Sequence, residues 1–116
     1  VVLSITELDF DILPNPENYQ GADISKNFEQ KSELNPYTDG LPDSVQVALT
    51  QRYEDIFKLL VSYKDDIERV TFWGVHDGYS WKNGFPVRGI TNYPLLFNRD
   101  CSPKPAYQKL IDLVKN

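Results

Sequence analysis

The chain has 116 residues, of which 41% are hydrophobic and 25% are charged, and its formal net charge is −5. This size suits one globular domain with its own core, and the composition excludes a disordered tail or a fibre. The negative charge argues against a nucleic acid as partner and is compatible with a neutral ligand. No apolar run approaches the roughly 18 residues that a membrane span needs, and no signal-peptide pattern occurs.

Cysteine and methionine are informative because they are scarce. Cys101 is the sole cysteine, which excludes an internal disulfide and a cysteine-based zinc site. The sequence contains no methionine and begins with Val1 and Val2, inside what we predict to be a buried strand. We therefore expect this chain to be a piece of a longer protein.

The first eleven residues, VVLSITELDFD, organise the rest of the chain. Their first half is apolar and β-branched, which predicts a strand buried on both faces. Carboxylates follow at Glu7, Asp9 and Asp11, and the two-residue period of a strand places Ile5, Glu7 and Asp9 on one face. Loops at the carboxyl ends of parallel strands line ligand crevices, so these acids are candidate site residues. Solvation of a strand end explains them equally well.

A long irregular connection is predicted from Leu13 to Pro42, because proline and glycine interrupt any regular period there. Loops of this length in compact domains tend to be functional lids or rims. Within it we predict a short helical turn from Ile24 to Lys31, with Asp23 as its cap.

The clearest helix is predicted from Asp43 to Lys64. Asp43 is its expected N-cap, and Gln46 follows three residues later, as in a capping box. Apolar residues at helical spacing predict one buried face, formed by Val45, Leu49, Tyr53, Ile56, Phe57, Leu60 and Tyr63. We interpret the aromatic residues of this face as core and not as a ligand-binding stripe.

A second strand, Arg69 to Val75, is rich in β-branched and aromatic residues. A final helix is predicted from Pro103 to Lys115, with Ser102 as its cap and Pro103 in its first position. Its buried stripe is formed by Ala106, Leu110, Ile111 and Val114. The order strand, helix, strand, helix predicts two parallel strands joined by a right-handed crossover.

Three segments carry a resemblance to a known family: ITELDF, RVTFWGVHDGYSW and PLLFNRDCSPKPAYQKL, in this order. Together they resemble the C-terminal part of the family 10 glycoside hydrolases, chiefly endo-1,4-β-xylanases, over nearly the whole chain. The loop with NPYTDGLPDSVQ resembles the branch found in gut Bacteroidetes. The resemblance implies an α/β fold, the C-terminal portion of a (β/α)₈ TIM barrel, with residues 1–8 as strand 7 and residues 69–75 as strand 8. Residues 1–116 are then a C-terminal fragment of a single catalytic domain.

The resemblance assigns the catalytic nucleophile of a retaining glycosidase to Glu7. Such an enzyme needs one carboxylate to attack the anomeric carbon and a second carboxylic acid to protonate the leaving oxygen. In this family the acid lies on the fourth strand within an Asn-Glu motif, and no Asn-Glu pair occurs here. We therefore expect the chain to carry the nucleophile without the acid/base, and to be inactive in isolation.

Trp73 and Trp81 match the family's tryptophans that wall the sugar subsites, where an indole offers a flat surface to a pyranose ring. Core packing is the alternative for both residues. Asn83 and Arg88 are candidate substrate contacts from their loop positions alone.

Asp9 and Asp77 are candidates for supporting roles. Asp9 matches a family acid that orients groups around the nucleophile, and Asp77 holds a comparable position after the second strand; either could instead be a turn former. His76 is the sole histidine, and without a Gly-x-Ser-x-Gly motif or further ligands we interpret it as a loop residue. Cys101 is expected to be a free thiol. We expect no metal and no cofactor.

The resemblance implies xylan or a xylo-oligosaccharide as substrate and the missing N-terminal part of the barrel as partner, with no nucleic acid and no membrane span. Because polymeric xylan cannot enter a cell, it also implies a secreted, periplasmic or cell-surface location. Two alternatives stay open: a non-catalytic carbohydrate-binding or structural fragment, and a β-1,4-glucanase on the same scaffold.

Overall fold

Two strands and two α-helices alternate along the chain in a computed structural model, which describes residues 1–17, 19, 25 and 28–115. The four elements are β1 (Leu3–Leu8), α1 (Asp43–Ser62), β2 (Ile67–Phe72) and α2 (Pro105–Lys115). Short 3₁₀ helices lie at Ser32–Leu34, Asp77–Tyr79 and Trp81–Asn83. The order of elements is the predicted one.

The two strands pair in parallel, as predicted, and their carboxyl ends meet at one edge. Leu3 pairs with Ile67 and Leu8 with Phe72, with register irregularities between Leu3 and Ser4 and between Ile5 and Leu8. The backbone N–H of Trp73 donates to the carbonyl of Leu8 at 2.9 Å, so contact between the chains continues just past β2. The segments that follow β1 and β2 therefore start side by side.

The prediction that the first strand is buried on both faces is wrong for this chain. Within β1, Ile5 and Leu8 are half-buried and the other residues are exposed. One sheet face is covered, because Leu8, Val70 and Phe72 pack against the core that the helices form. The described residues supply no further layer for the opposite face, and most side chains of β1 are exposed.

β2 begins and ends earlier than the predicted 69–75. The backbone leaves the strand after Phe72, and Gly74 adopts a φ of 136°, a conformation that side-chain-bearing residues rarely adopt. A Cβ at Gly74 would lie 2.8 Å from Cδ1 of Leu95. Glycine therefore permits both the turn out of the strand and its close approach to Leu95.

The main core lies between the covered sheet face and the two helices, which pack on each other. Its buried members are Phe10, Leu49, Tyr53, Phe57, Ala106 and Leu110. Phe57 stacks on Phe72 with ring centroids 5.8 Å apart. The core role predicted for Tyr53 and Phe57 is thus confirmed by their burial, whereas Ile56, Tyr63 and Val114 are exposed.

Both predicted helix caps are wrong. Pro42 occupies the N-cap position of α1, no side chain caps that helix, and Asp43 is its first residue. An acidic residue there still interacts favourably with the positive end of the helix dipole. α2 begins at Pro105, while Pro103 forms a bridge with Phe97 instead of opening the helix.

A second, smaller core joins the long connection to the loop between β2 and α2. It is formed by Leu13, Leu34, Val87 and Ile90. The turn predicted at 24–31, with its cap at Asp23, lies largely outside the described residues, and the described residues 28–31 are not helical. Among the residues described, neither helix combines the length and apolarity needed to cross a membrane.

Candidate functional site

The carboxyl edge of the sheet carries Glu7 and Trp73. They are the sequence neighbours of Leu8 and Phe72, which pair with each other and pack against the core. Glu7 is exposed and Trp73 is 49% exposed. In the described part of the chain, no side chain forms an ion pair or hydrogen bond with Glu7. Its carboxylate is therefore accessible to a ligand at this edge.

Trp81 is held at the same edge by Asp9, which follows β1. Its indole Nε1 donates a hydrogen bond to Oδ2 of Asp9 at 2.7 Å. One side of the ring stacks on Phe85, with centroids 4.9 Å apart and planes 14° from parallel, and 42% of Trp81 remains exposed. Trp81 is thus neither a core residue nor a loose surface side chain, because its ring is anchored and partly open to solvent.

Lys82 occupies the next position and forms an ion pair that sequence reasoning did not identify. Its Nζ lies 2.8 Å from Oδ2 of Asp11, and the Lys82 side chain is only 7% exposed. The alternation Glu7, Asp9, Asp11 was visible in the sequence. The partners of the last two acids were not, because Trp81 and Lys82 lie about seventy residues further along the chain.

Asp77 is completely buried, so it cannot contact a sugar at the surface of the site. Its Oδ2 lies 2.8 Å from Nζ of Lys104, and its Oδ1 accepts a 2.9 Å hydrogen bond from the N–H of Leu95. Lys104 also donates to the carbonyl of Tyr93 at 2.9 Å. The supporting contribution of Asp77 is internal, since it fixes the loop after β2 to the segment before α2.

Burial shifts the pKa values of this pair in opposite directions. Desolvation raises the pKa of the Asp77 carboxyl above its usual range, and the nearby Lys104 ammonium opposes that shift. Desolvation lowers the pKa of Lys104, and the Asp77 carboxylate opposes it. Each charge is therefore tolerated inside the protein because of the other. Lys104, which stands between two prolines in the sequence, gave no signal of this role.

The side-chain amide of Asn83 is fully engaged within the protein. Its Nδ2 donates to the carbonyls of Asp77 and Ser80 at 2.7 and 3.2 Å. Its Oδ1 accepts from the N–H of Asn92 at 2.9 Å and from Arg99 at 3.0 Å. These contacts favour a role in shaping the loop over direct contact with substrate.

The other polar residues singled out from the sequence have simpler surroundings. Arg88 is exposed next to Val87, which forms a bridge with Phe28. Nδ1 of His76 accepts from the N–H of Gly78 at 3.2 Å, as suits a loop residue. Cys101 is an exposed free thiol. Within the described residues, no group of histidine, cysteine and carboxylate side chains could hold a metal ion.

Curated relatives of the chain are xylan-degrading enzymes by description. An endo-1,4-beta-xylanase A from Xylanibacter ruminicola is 48% identical over 113 residues, which cover 97% of this chain and 31% of that protein. A thermostable celloxylanase from Thermoclostridium stercorarium is 43% identical over 81 residues, covering 70% of this chain and 21% of that protein. The chain thus spans about a third or less of the length of these relatives. The first relative supports the Bacteroidetes-like resemblance.

Solved structures agree with these relatives. A GH10 endoxylanase from a sugarcane soil metagenome superimposes with a TM-score of 0.89 at 53% identity, over 94% of this chain and 32% of that one. Xylanase B from Clostridium stercorarium F9 gives a TM-score of 0.70 at 40% identity, over 94% and 27%. The predicted fold class, the C-terminal portion of a (β/α)₈ TIM barrel, is confirmed. A family profile described as glycosyl hydrolase family 10 matches residues 1–113, and the chain therefore belongs to that family.

Proposed function

We propose that this chain is the C-terminal portion of a single catalytic domain, that of a retaining endo-1,4-β-xylanase, with Glu7 as its nucleophile. The observation that carries the proposal is the exposed, unpaired Glu7 at the carboxyl edge of two parallel strands, with the half-exposed Trp73 at the same edge. Relatives and structural neighbours described as xylanases support it.

Glu7 would react through an ionised carboxylate oxygen. This oxygen attacks the anomeric carbon of a xylose unit, the bond to the leaving sugar oxygen breaks, and a glycosyl-enzyme ester forms. Water then hydrolyses the ester and regenerates the carboxylate. Retention of configuration follows, because two displacements invert the anomeric carbon twice.

The acid/base that protonates the leaving oxygen is proposed to lie in the N-terminal part of the barrel. In this chain the nearby acids are already committed: Asp9 accepts from Trp81, Asp11 pairs with Lys82, and Asp77 is buried with Lys104. A general acid must hold a proton at about neutral pH and stand roughly 5 Å from the nucleophile. The contacts of Asp9 and Asp11 and the burial of Asp77 therefore do not favour any of them as the general acid.

Trp73 and Trp81 are proposed to bind the sugar units next to the cleaved bond. Both rings are partly exposed, and Trp81 is oriented by its hydrogen bond to Asp9 and its stack on Phe85. A flat apolar ring suits the C–H face of a pyranose. Arg88 is proposed to reach sugar hydroxyls, whereas Asn83 is proposed to act by holding the loop.

The proposed substrate also bears on location. Because polymeric xylan cannot enter a cell, we place the complete enzyme outside the cytoplasm, as a secreted, periplasmic or cell-surface protein.

A second candidate function is hydrolysis of β-1,4-glucan on the same scaffold, which the description of one relative as a celloxylanase favours.

The test joins this chain to the N-terminal part of the Xylanibacter ruminicola xylanase, giving a protein that we call the chimaera. The chimaera should release reducing sugar from xylan, and Glu7→Gln should lower kcat about 10⁴-fold or more while xylo-oligosaccharide binding persists. Glu68→Gln is the matched control, because Glu68 lies near the amino end of β2, away from the carboxyl edge that carries Glu7. Its Oε2 accepts a 3.0 Å hydrogen bond from Oγ of Ser4. An unchanged rate in Glu7→Gln would refute the assignment.

Activity of the chimaera on β-glucan and cellulose, measured beside its activity on xylan, decides between the two candidate substrates.

A further inference from the structure

Nζ of Lys82, which pairs with Asp11, lies over the ring of the proposed sugar platform Trp81. Lys82 is the middle residue of the 3₁₀ helix that Trp81 opens, and its Nζ reaches Oδ2 of Asp11 at 2.8 Å. The same Nζ lies 5.3 Å from the centroid of the Trp81 ring. The pair therefore touches both the loop after β1 and the indole.

This ion pair differs from the Glu54–Lys58 pair of α1 in the burial of its lysine. The side chain of Lys82 is 7% exposed and that of Asp11 is 27% exposed, whereas the Glu54–Lys58 pair on α1 has exposures of 20% and 55%. Exposed pairs are screened by water and contribute little. A lysine that is kept from water requires a well-placed partner, so the position of Lys82 is coupled to that of Asp11.

Further hydrogen bonds fix both members of the pair. Oδ1 of Asp11 accepts from the N–H of Leu13 at 3.3 Å. Nδ2 of Asn92 lies 3.4 Å from both Oδ1 of Asp11 and the carbonyl of Lys82. The N–H of Lys82 donates to Oγ of Ser80 at 3.1 Å. Side chain and backbone of Lys82 are thus both restrained.

Two acids of the loop after β1 hold two consecutive residues of this 3₁₀ helix. Asp9 binds the indole N–H of Trp81, and Asp11 binds the ammonium group of Lys82. The Asp9 hydrogen bond and the stack on Phe85 act on the indole ring alone. A second attachment at the adjacent residue restrains the backbone from which the indole projects.

We propose that Asp11 and Lys82 are positioning residues that set the place of Trp81 in the sugar cleft, an inference that rests on the proposed sugar-binding role of Trp81. The pair touches no substrate in this scheme. Its loss lets the 3₁₀ helix shift, and a displaced platform binds sugar less well while the chemistry at Glu7 continues.

The test is a double-mutant cycle in the chimaera, with KM and kcat measured on xylo-oligosaccharides. Lys82→Met keeps the length and apolar stem of the side chain but removes its charge. It should raise KM about five- to tenfold with a smaller change in kcat, and Lys82→Arg should restore most of the loss. In the Trp81→Ala background, Lys82→Met should cause no further rise in KM, because the positioned ring is already gone.

The control is Lys58→Met, which removes the exposed ion pair of α1 and should leave KM unchanged. The inference would be overturned if the KM increases caused by Lys82→Met and by Trp81→Ala multiplied in the double variant. It would also be overturned if Lys82→Met lowered the melting temperature and left KM unchanged. Should Lys82→Met not fold, Asp11→Asn keeps the size of the acid, removes its charge and must give the same pattern. If Trp81→Ala alone leaves KM unchanged, the sugar role of Trp81 fails first, and the positioning inference fails with it.

Discussion

The indole Nε1 of Trp81 donates a 2.7 Å hydrogen bond to Oδ2 of Asp9, joining residues 72 positions apart in the sequence. The bond is possible because β1 and β2 are parallel and adjacent, so that the segments leaving their carboxyl ends meet. It also gives the neighbouring acids Glu7 and Asp9 different surroundings. Asp9 is occupied in holding the ring, and Glu7 is left accessible.

Trp81→Ala in the chimaera should weaken substrate binding more than it weakens folding. Trp81 is 42% exposed and its ring stacks on Phe85, so the lost stacking should cost only about 0.5–1.5 kcal/mol of stability. KM for xylo-oligosaccharides should rise about tenfold, equivalent to roughly 1.4 kcal/mol. Kinetics and thermal melting measure the two effects. A large fall in melting temperature with little change in KM would instead make Trp81 a core residue.

Asp9→Leu should disturb the site through Trp81 without removing the proposed nucleophile, Glu7. Leucine keeps the branched shape and the number of non-hydrogen atoms of the aspartate side chain but cannot accept the indole hydrogen bond. We expect KM to rise several-fold and kcat to fall much less than in Glu7→Gln. Asp9→Asn is the matched control, because its amide oxygen still accepts from the indole. A loss of turnover as deep as that of Glu7→Gln would show that Asp9 takes part in the chemistry.

Local patterns in the sequence predicted the elements well. The apolar spacing of α1 identified Leu49, Tyr53 and Phe57, which the structure buries. The β-branched runs located both strands: β1 ends at the predicted residue, and β2 begins two residues before its predicted start. Helix starts were less predictable, because Pro103 and Pro105 both suit a first helical position. The later proline opens α2, and Pro103 instead pairs with Phe97.

Pairings between distant residues were beyond reach from the sequence. Nothing near Asp77 indicated that its partner is Lys104, and nothing near Asp11 indicated Lys82. The burial of β1 was overestimated for a related reason. An apolar pattern shows that the side chains of a strand favour burial. Whether they are buried depends on how many helices or strands of the chain pack against the two faces of the sheet.

The isolated chain should show no appreciable xylanase activity. Among the described residues, the acids near the proposed nucleophile are held in other contacts, namely Asp9, Asp11 and Asp77. One face of the sheet is also uncovered by the described residues. Release of reducing sugar from xylan is the measurement. Mixing with a separately made N-terminal part of the Xylanibacter ruminicola xylanase should restore hydrolysis, while clear turnover by the pure chain would contradict the prediction.

Tyr53→Phe in the chimaera should cost little stability despite full burial. The Tyr53 hydroxyl donates to the carbonyl of Pro94 at 2.5 Å, and burial holds its pKa above the usual range, so it stays protonated. The N–H of Phe10 donates to the same carbonyl at 3.1 Å, so that carbonyl keeps a partner when the hydroxyl is removed. We expect a loss of about 0.5–1.5 kcal/mol in denaturant unfolding. Tyr63→Phe, at the exposed end of α1, should cost nothing measurable.

Lys104→Met in the chimaera should be far more damaging, because it leaves the Asp77 carboxylate buried without its cation. Removing one member of a buried ion pair typically costs about 3–5 kcal/mol. The double variant Asp77→Asn, Lys104→Met should recover part of that loss, since the amide carries no charge and its oxygen still accepts from Leu95. Lys58→Met, in the exposed pair of α1, should cost only about 0.3–0.5 kcal/mol.

The loss caused by Lys104→Met should also depend on pH in a direction that identifies Asp77. Burial already raises the pKa of Asp77, and without the opposing Lys104 charge it rises further. The folded state then holds the Asp77 proton more tightly than the unfolded state, so stability falls as pH rises through the range above the ordinary aspartate pKa. Unfolding measured across this range should show the deficit of Lys104→Met smallest in acid and growing until Asp77 is fully ionised. A deficit independent of pH would mean that lost packing, and not the unpaired carboxylate, is the cause.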